Sequence, residues 1–359
     1  MTASPLKICL VGCGRVALHY VEMLTKHVPQ GIIEVVSCAD INHGKAENIA
    51  RLLNSKAYSD YVEMIEREQF DYAFILTESG NHYVNAKKIL ELGKSVLIEK
   101  PVALLPQQAC ELSRISDEMG LDCFTVFQNR YNPAIRLLND MVIRNLFGKL
   151  VTGSVRLRWC RTQEYYDDGW HGTWKMDGGV ICQQAIHHLD CLISVLGLPC
   201  KVVAQMGRQL NRLEAEDTMT ALLAYENGCQ ITLELTTAIR PEDFEASISI
   251  FGENGYISLG GIAINKVQDI WVAGFSPDIL KQLKFDGSEE VPTGYGLSHK
   301  NLLIDLFKYK NSAKQNHVDL IRANEAKPVL QLIHAIYVSC ETESWVDVNK
   351  KNLSKMLGV

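Results

Sequence analysis

The chain has 359 residues, of which 47% are hydrophobic and 22% charged, with 25 Gly and 10 Pro; this excludes disordered, collagen-like and fibrous proteins and leaves room for about two domains at ~150 residues each. The formal charge is -6, from 36 Lys and Arg against 42 Asp and Glu. A mildly acidic protein makes a poor non-specific binder of nucleic acid or anionic membrane, so a polyanionic ligand has to meet a local cluster of Lys and Arg.

No apolar run approaches the ~18 residues of a spanning helix. Met1 to Lys7 lacks the basic-then-apolar layout of a signal peptide. The 11 Cys are scattered through apolar segments without a C-x-x-C pair, so a cytosolic protein with reduced, buried thiols is expected.

Residues 1–127 alternate short apolar runs with longer segments of helical period, as parallel strands joined by crossover helices do. The strands are Leu6 to Val11, Ile32 to Ala39, Asp71 to Leu76, Ser95 to Glu99 and Leu121 to Phe127. His43 to Asn54, Asp60 to Glu68, Asn81 to Leu92 and Pro106 to Met119 read as helices. This predicts an α/β Rossmann domain with a doubly wound parallel sheet.

A helical stretch follows at Asn132 to Asn145, and from Val151 the period changes to two. Strand-like runs at Lys201 to Leu210, Thr218 to Tyr225, Cys229 to Thr237, Glu245 to Phe251 and Tyr256 to Leu259 are joined in two places by Asn227-Gly228 and Asn254-Gly255. Asn-Gly favours type I′ hairpin turns, because both residues tolerate positive φ. Residues 128–359 are thus expected to form an α+β domain on a large, mainly antiparallel sheet. Helices at Asn301 to Ser312 and Ala323 to Cys340 would pack back on the body.

Val11-Gly12-Cys13-Gly14-Arg15-Val16-Ala17 has G-x-G-x-x-A form, follows the first strand and opens the first helix. Gly12 permits the tight turn, Gly14 lets the backbone approach a pyrophosphate, and the free N–H groups of the helix end meet its charge. Asp40 ends the second strand, 26 residues beyond Gly14. A carboxylate there accepts both ribose hydroxyls of NAD and repels a 2′-phosphate. No Arg follows directly, so NAD rather than NADP is the expected cofactor.

Ile98-Glu99-Lys100-Pro101 closes the fourth long strand, placing Lys100 past the carboxyl edge where ligands of such sheets bind. With this motif the chain resembles the Gfo/Idh/MocA oxidoreductases, whose E-K-P lies at the cofactor-substrate junction, and the resemblance covers nearly the whole chain. Thr77-Glu78-Ser79-Gly80-Asn81-His82 occupies the family's T-P-N-x-x-H position with Glu78 in place of Pro, which puts the loop's rigidity in doubt. The resemblance implies that Gly12, Gly14, Arg15, Val16, Asp40, Thr77, His82, Glu99, Lys100 and Gln128 hold the cofactor.

The stretch Asp177 to Asp190 is similar to the family's G-G-x-x-x-D-x-x-x-H-x-x-D. On a helix starting near Gln183, Ile186, Leu189, Ile193 and Leu196 form an apolar stripe, while Gln183, His187, Asp190 and Ser194 fall together on another. His188 is rotated away and is expected at the edge of the core or in an interface. The resemblance implies His187 and Lys100 as the catalytic residues, and an imidazole with ordinary pKa ~6.5 suits proton removal from a sugar hydroxyl. Gln183 stands where many members carry Asp and can only hydrogen-bond. No metal site is expected, since His187, Cys182 and Cys191 lack a second clear ligand pair.

The runs Val126 to Ala134, Arg156 to Arg161 and Tyr165 to Trp174 resemble one branch, the UDP-N-acetylglucosaminuronate 3-dehydrogenases of bacterial surface-polysaccharide (lipopolysaccharide) synthesis. This implies NAD-dependent oxidation of the sugar's 3-hydroxyl, in some members with NAD regenerated by 2-oxoglutarate. A diphosphate and a uronate need several cationic or N–H donors. Lys100, Arg130, Asn132, Arg161, Tyr165, Tyr166, Trp174, Lys175, Gln183, His187, Tyr295 and His299 are the expected substrate contacts. Arg156 and Arg158 share the polar face of their strand, either solvated or in a subunit interface, and a homo-oligomer, dimer or tetramer, is expected. The rival readings are another sugar or inositol dehydrogenase of the family, and a non-catalytic NAD-binding regulator.

Overall fold

The protein is described from a computed structural model covering residues 4–312 and 319–359, so Met1 to Ala3 of the N-terminal stretch read above lie outside the described residues. In chain order the elements begin with β1 (Leu6–Val11), α1 (Arg15–Glu22), β2 (Ile33–Ala39), α2 (His43–Leu53), β3 (Lys56–Tyr58) and α3 (Tyr61–Arg67). They continue with β4 (Tyr72–Ile75), α4 (His82–Glu91), β5 (Ser95–Ile98), α5 (Pro106–Met119), β6 (Cys123–Thr125) and α6 (Pro133–Ile143). Next come β7 (Leu150–Arg158), α7 (Gln163–Tyr166), α8 (Val180–Gln183), α9 (Ile186–Leu196), β8 (Lys201–Gly207), β9 (Thr218–Ala224) and β10 (Gln230–Thr236). The chain ends with β11 (Glu245–Gly252), β12 (Gly255–Gly260), β13 (Lys266–Val272), α10 (Pro277–Asp286), α11 (Ser298–Asn311), β14 (Ile321–Arg322), α12 (Lys327–Thr342) and β15 (Val346–Asp347). Among the described residues no helix is long and apolar enough to cross a membrane.

The chain divides into two compact units, Met1–Gln128 with Leu297–Lys327, and Asn129–Gly296 with Pro328–Val359. The sequence boundary assigned everything from residue 128 onward to the second domain. The segment 297–327 instead lies in the first unit, because β14 pairs antiparallel with β6 and Tyr309 of α11 donates to the Asp122 carboxylate at 2.9 Å.

The first unit holds a seven-stranded sheet in the order β14-β6-β5-β4-β1-β2-β3. Apart from β14 every pairing is parallel, as expected of strands buried on both faces. The order reverses between β1 and β4, and the loops after these two strands meet there. Gly12 is at φ +97, and a Cβ on it would lie 2.8 Å from the Leu76 carbonyl. Only glycine fits that crossing point.

The second unit holds an eight-stranded sheet, β13-β12-β11-β7-β10-β9-β8-β15. It is antiparallel except between β7 and β10. One face buries Val155, Leu157, Met219, Leu223, Ile231, Leu233, Leu235, Ile248 and Ile250. The other carries Arg156 and Arg158, which pair across neighbouring strands with Glu234 and Glu245.

Both Asn-Gly hairpins form, but neither is type I′. Only Gly228 of the first pair has positive φ, and its amide closes a turn on the Tyr225 carbonyl at 3.0 Å. In the second, Gly252 pairs with Gly255, so the loop is Glu253-Asn254 and Gly255 already belongs to β12. The run read as a strand to Leu210 ends at Gly207, because the Asp217 carboxylate accepts from the amides of Gln209, Leu210 and Asn211 at 2.7, 3.0 and 3.0 Å and curls them into a turn. β3, β13 and α10 carried no recognised sequence signal.

The helix expected from Gln183 onward is two helices, α8 and α9, interrupted at Gln184 and Ala185. Glu216 anchors the first of them: its carbonyl accepts from Val180 N at 3.0 Å, and its carboxylate accepts from Ile181 N at 3.2 Å and from the Tyr337 hydroxyl at 3.1 Å. A Cβ at Gly179 would lie 2.2 Å from the Glu216 carbonyl oxygen, so this junction requires glycine.

Burial pushes Glu216 up to about 7, with its hydrogen bonds opposing. A carboxyl raised on folding gives stability that is complete below its unfolded value near 4.5 and lost as pH climbs through 7. Glu216→Gln is therefore expected to be more stable than the parent above pH 7, by on the order of 2–3 kcal/mol, and alike near the unfolded value; parallel stability-pH curves would contradict this.

His188 of α9 is 2% exposed, so it sits inside the core rather than at its edge. Both its ring nitrogens lack hydrogen-bond partners among the described residues, and the ring packs edge-on against Trp159, with centroids 6.2 Å apart. Burial pushes it down to about 4. A depressed histidine gives stability present above its unfolded value near 6.5 and lost as pH falls through 4. Thermal melts of His188→Leu are expected to match or exceed the parent at pH 7 and to lose part of the acid sensitivity between those values; a lower melting point at pH 7 would show that the imidazole is needed.

Candidate active site

In the first unit the expected nucleotide-binding residues stand together at the carboxyl edge of the sheet. Gly14 precedes α1 with open space where a Cβ would sit, Arg15 is exposed at the first helical position and Val16 follows it. The Asp40 carboxylate accepts from Cys13 N and from Asn42 N, both at 2.8 Å, which ties the end of β2 to the glycine turn. Gln128 is buried with its Oε1 lacking a partner among the described residues. An open glycine cradle at a helix start, an anchored carboxylate and an unspent buried amide oxygen all fit a dinucleotide.

Thr77 and His82 bracket the neighbouring loop. The His82 ring places Nδ1 2.7 Å from the Pro101 carbonyl and Nε2 2.9 Å from that of Thr77. Burial pushes His82 below its ordinary value, and a neutral ring donates to only one of the two carbonyls. The Glu78 carboxylate accepts from the Asn81 amide at 3.1 Å and its carbonyl from Asn81 N at 2.9 Å, so the loop is braced without the family's proline.

Lys100 follows β5 and is half-buried. Glu99, directly before it, is 6% exposed. Its Oε1 accepts from the Tyr20 hydroxyl at 2.9 Å, its Oε2 from Lys100 N at 3.1 Å, and His299 Nε2 stands 3.5 Å from Oε1. Burial alone would raise this carboxyl. His299, Lys100 and Tyr20 together hold it at about 2. His299, expected to reach substrate, is 2% exposed and faces Glu99 on one side and His19, at 3.2 Å, on the other.

In the second unit Gln183 ends α8, buried, and His187 lies in the first turn of α9, half-buried. Asp190 follows about one turn later on α9. It is buried, burial raises its carboxyl against the opposing charge of Arg130, and Arg130 grips it with Nε and Nη2 at 2.8 and 2.6 Å. Two donors of an arginine expected on substrate are therefore spent inside the unit.

The loop from 160 to 175 is similarly committed. Arg161 donates to the Cys160 carbonyl at 2.7 Å and to Asp243 at 3.0 Å and lies over the Trp159 and Tyr165 rings. The Tyr165 hydroxyl accepts from Gln184 at 3.2 Å. Tyr166 is buried with its hydroxyl 2.7 Å from Thr237 Oγ1, and Trp174 packs edge-on to Tyr337; both act as packing residues in this structure. Asn132 is buried and donates to the Ala263 carbonyl at 2.8 Å, steadying Ile264, a β-branched residue at φ 53. Lys175 and Tyr295 are exposed.

Sequence reasoning missed Tyr20, His19 and the Asp168–His171 pair, whose Oδ2 and Nδ1 are 2.6 Å apart beneath the Trp170 and Tyr165 rings. The D-x-x-H spacing was the one available signal for the last. Among the described residues no cluster of three or more His, Cys, Asp or Glu could hold a metal ion.

Residues 6–127 match the NAD-binding Rossmann fold of the GFO/IDH/MocA oxidoreductase family and residues 135–258 match a GFO/IDH/MocA C-terminal domain. The WlbA dehydrogenase from Bordetella pertussis, solved in complex with NADH and UDP-GlcNAcA, is similar over 98% of this chain and 100% of its own, at 27% identity and a TM-score of 0.86. Among curated relatives, scyllo-inositol 2-dehydrogenase (NAD(+)) of Bacillus subtilis is 25% identical over 76% of this chain and 79% of its own length. D-glucoside 3-dehydrogenase of Escherichia coli is 26% identical over 67% and 72%. With its two domains matched in order over more than half its length, the chain belongs to the Gfo/Idh/MocA oxidoreductase family, with NAD as its cofactor.

Proposed function

We propose that this NAD-dependent oxidoreductase oxidises the 3-hydroxyl of UDP-N-acetylglucosaminuronic acid, or a close UDP-sugar, to the 3-keto sugar. Sugar or polyol dehydrogenation is the chemistry of the two curated relatives described above. The finer reading is carried by the end-to-end likeness to the Bordetella enzyme that binds UDP-GlcNAcA. NAD, when bound, supplies the hydride acceptor. In this reading the Lys100 ammonium stabilises the oxygen as its charge develops, which is the larger catalytic term, and His187 takes the hydroxyl proton. Gln183 orients by hydrogen bonding alone.

A neutral sugar or inositol is the second reading, favoured because Arg130 and Arg161 already have carboxylate partners within the chain. NADH formation, followed by absorbance across UDP-sugars, free glucosides and inositols with and without 2-oxoglutarate, separates the two. Turnover highest with UDP-N-acetylglucosaminuronic acid is expected. Turnover confined to glucosides or inositols would replace the substrate, and NAD binding without any turnover would favour a regulator.

Two variants test the assigned roles. Lys100→Ala is expected to lose roughly 10³-fold in kcat while NAD affinity stays within about twofold; retained turnover would remove Lys100 from the chemistry. In Asp40→Ala, NAD affinity measured by fluorescence titration is expected to fall by about tenfold, the loss of one charged hydrogen-bond partner. Undiminished affinity would place the ribose elsewhere.

A further inference from the structure

We propose that His299, with His19 behind it, is a positioning residue for the Glu99-Lys100 turn: the two imidazoles and the Tyr20 phenol lock the buried Glu99 carboxylate, as a standing negative charge, next to Lys100. The inference rests on the dehydrogenase reading of the Lys100 site but on no choice of sugar.

Three elements converge on one carboxylate. α1 contributes Tyr20, whose hydroxyl donates to Glu99 Oε1 at 2.9 Å. α11 contributes His299, with Nε2 3.5 Å from the same oxygen. Lys100 N takes Oε2 at 3.1 Å. Behind His299, its Nδ1 lies 3.2 Å from His19 Nε2, and the His299 ring packs edge-on to both His19 and Tyr20, with centroids 4.7 and 5.6 Å apart. An ionised carboxylate with this little exposure is costly unless paired and hydrogen-bonded. Here each oxygen has its donor, and the imidazole adds a group able to carry the opposite charge.

The placement of these groups links them to the cofactor loop. His19 and Tyr20 belong to the helix that begins at the dinucleotide glycines. The same carboxylate that tethers this helix also holds the backbone of Lys100. The returning segment Leu297–Lys327 thus delivers the His299 imidazole to the Glu99 carboxylate.

The groups facing Glu99 are Tyr20 and His19 from α1, His299 from α11, His82 from α4 and Lys100 beside it, with Glu22 and His27 farther along, near His19. Removing the imidazole leaves the burial of Glu99 under-compensated, so its carboxyl takes a proton at higher pH. Below that pH Lys100 loses its counter-charge.

The test uses the full chain with NAD bound and compares His299→Phe, which keeps a ring and removes the nitrogens, with His299→Gln, whose amide can still donate. The Glu99 carboxyl is titrated by infrared difference spectroscopy, its band assigned by its loss in Glu99→Gln. In parallel, kcat and NAD affinity are measured with whichever substrate of the panel is turned over. In His299→Phe the Glu99 titration is expected to rise by about one unit, and kcat to fall by about tenfold as Lys100 is less firmly placed, with NAD affinity unchanged. His299→Gln is expected to recover most of the loss. An unmoved Glu99 titration in a folded His299→Phe overturns the proposal, as does a lowered melting point with an unchanged kcat. If His299→Phe does not fold, Tyr20→Phe removes the other side-chain donor and is read in the same way. The infrared titration needs no substrate, so failure of the whole panel would count against the sugar assignment and leave this inference independently decided.

Discussion

A carboxylate buried at the end of a parallel strand must be given partners, and much of the first unit is arranged to supply them to Glu99. Its neighbours in space come from the helix after the glycine turn, from the lysine that follows it and from a segment that returns from near residue 300. Because these partners come from separate elements, the charge cannot be satisfied unless the sheet, α1 and α11 are all in place. The chain path, with 297–327 joining the first unit, has a concrete consequence in this requirement. Lys100 inherits its position from it.

The second unit applies the same physics to the other half of the proposed chemistry. His187 rides on α9, whose orientation depends on two buried acids. Glu216 holds the start of α8 through its carbonyl, its carboxylate and Tyr337, and Asp190 is gripped by two donors of Arg130. Replacing either acid with an apolar residue would leave buried donors unpaired, a cost of about 1–3 kcal/mol for each group. The break at Gln184 and Ala185 lies between these anchors, where α8 stops and α9 begins.

Features governed by local backbone chemistry were legible in the sequence. The glycine turn, Asp40 and the E-K-P segment each depend on a few adjacent residues, and the long parallel strands were found to within a few residues because their apolar runs are continuous. Long-range pairings were hidden. Tyr20 and Glu99 are 79 residues apart, His19 and His299 280, and Arg130 and Asp190 60, and no spacing rule connects them. The helical wheel put Asp190 beside His187 on a polar face because periodicity cannot distinguish a solvated carboxylate from one neutralised by a distant arginine. β13 escaped notice because Gln268 and Asp269 interrupt its alternation, and α10 because it buries none of its residues.

Lys100 and His187 come from different units, and the functional reading requires that both serve one hydroxyl. A crystal structure of the full chain with NADH and UDP-N-acetylglucosaminuronic acid measures this directly. The account predicts Lys100 Nζ and His187 Nε2 within hydrogen-bonding reach, about 2.6–3.2 Å, of the same sugar oxygen, with the Glu99 carboxylate still held by Tyr20 and His299. A substrate whose reacting hydroxyl meets neither group, or only one of them with the other turned to a separate region of the protein, would contradict it.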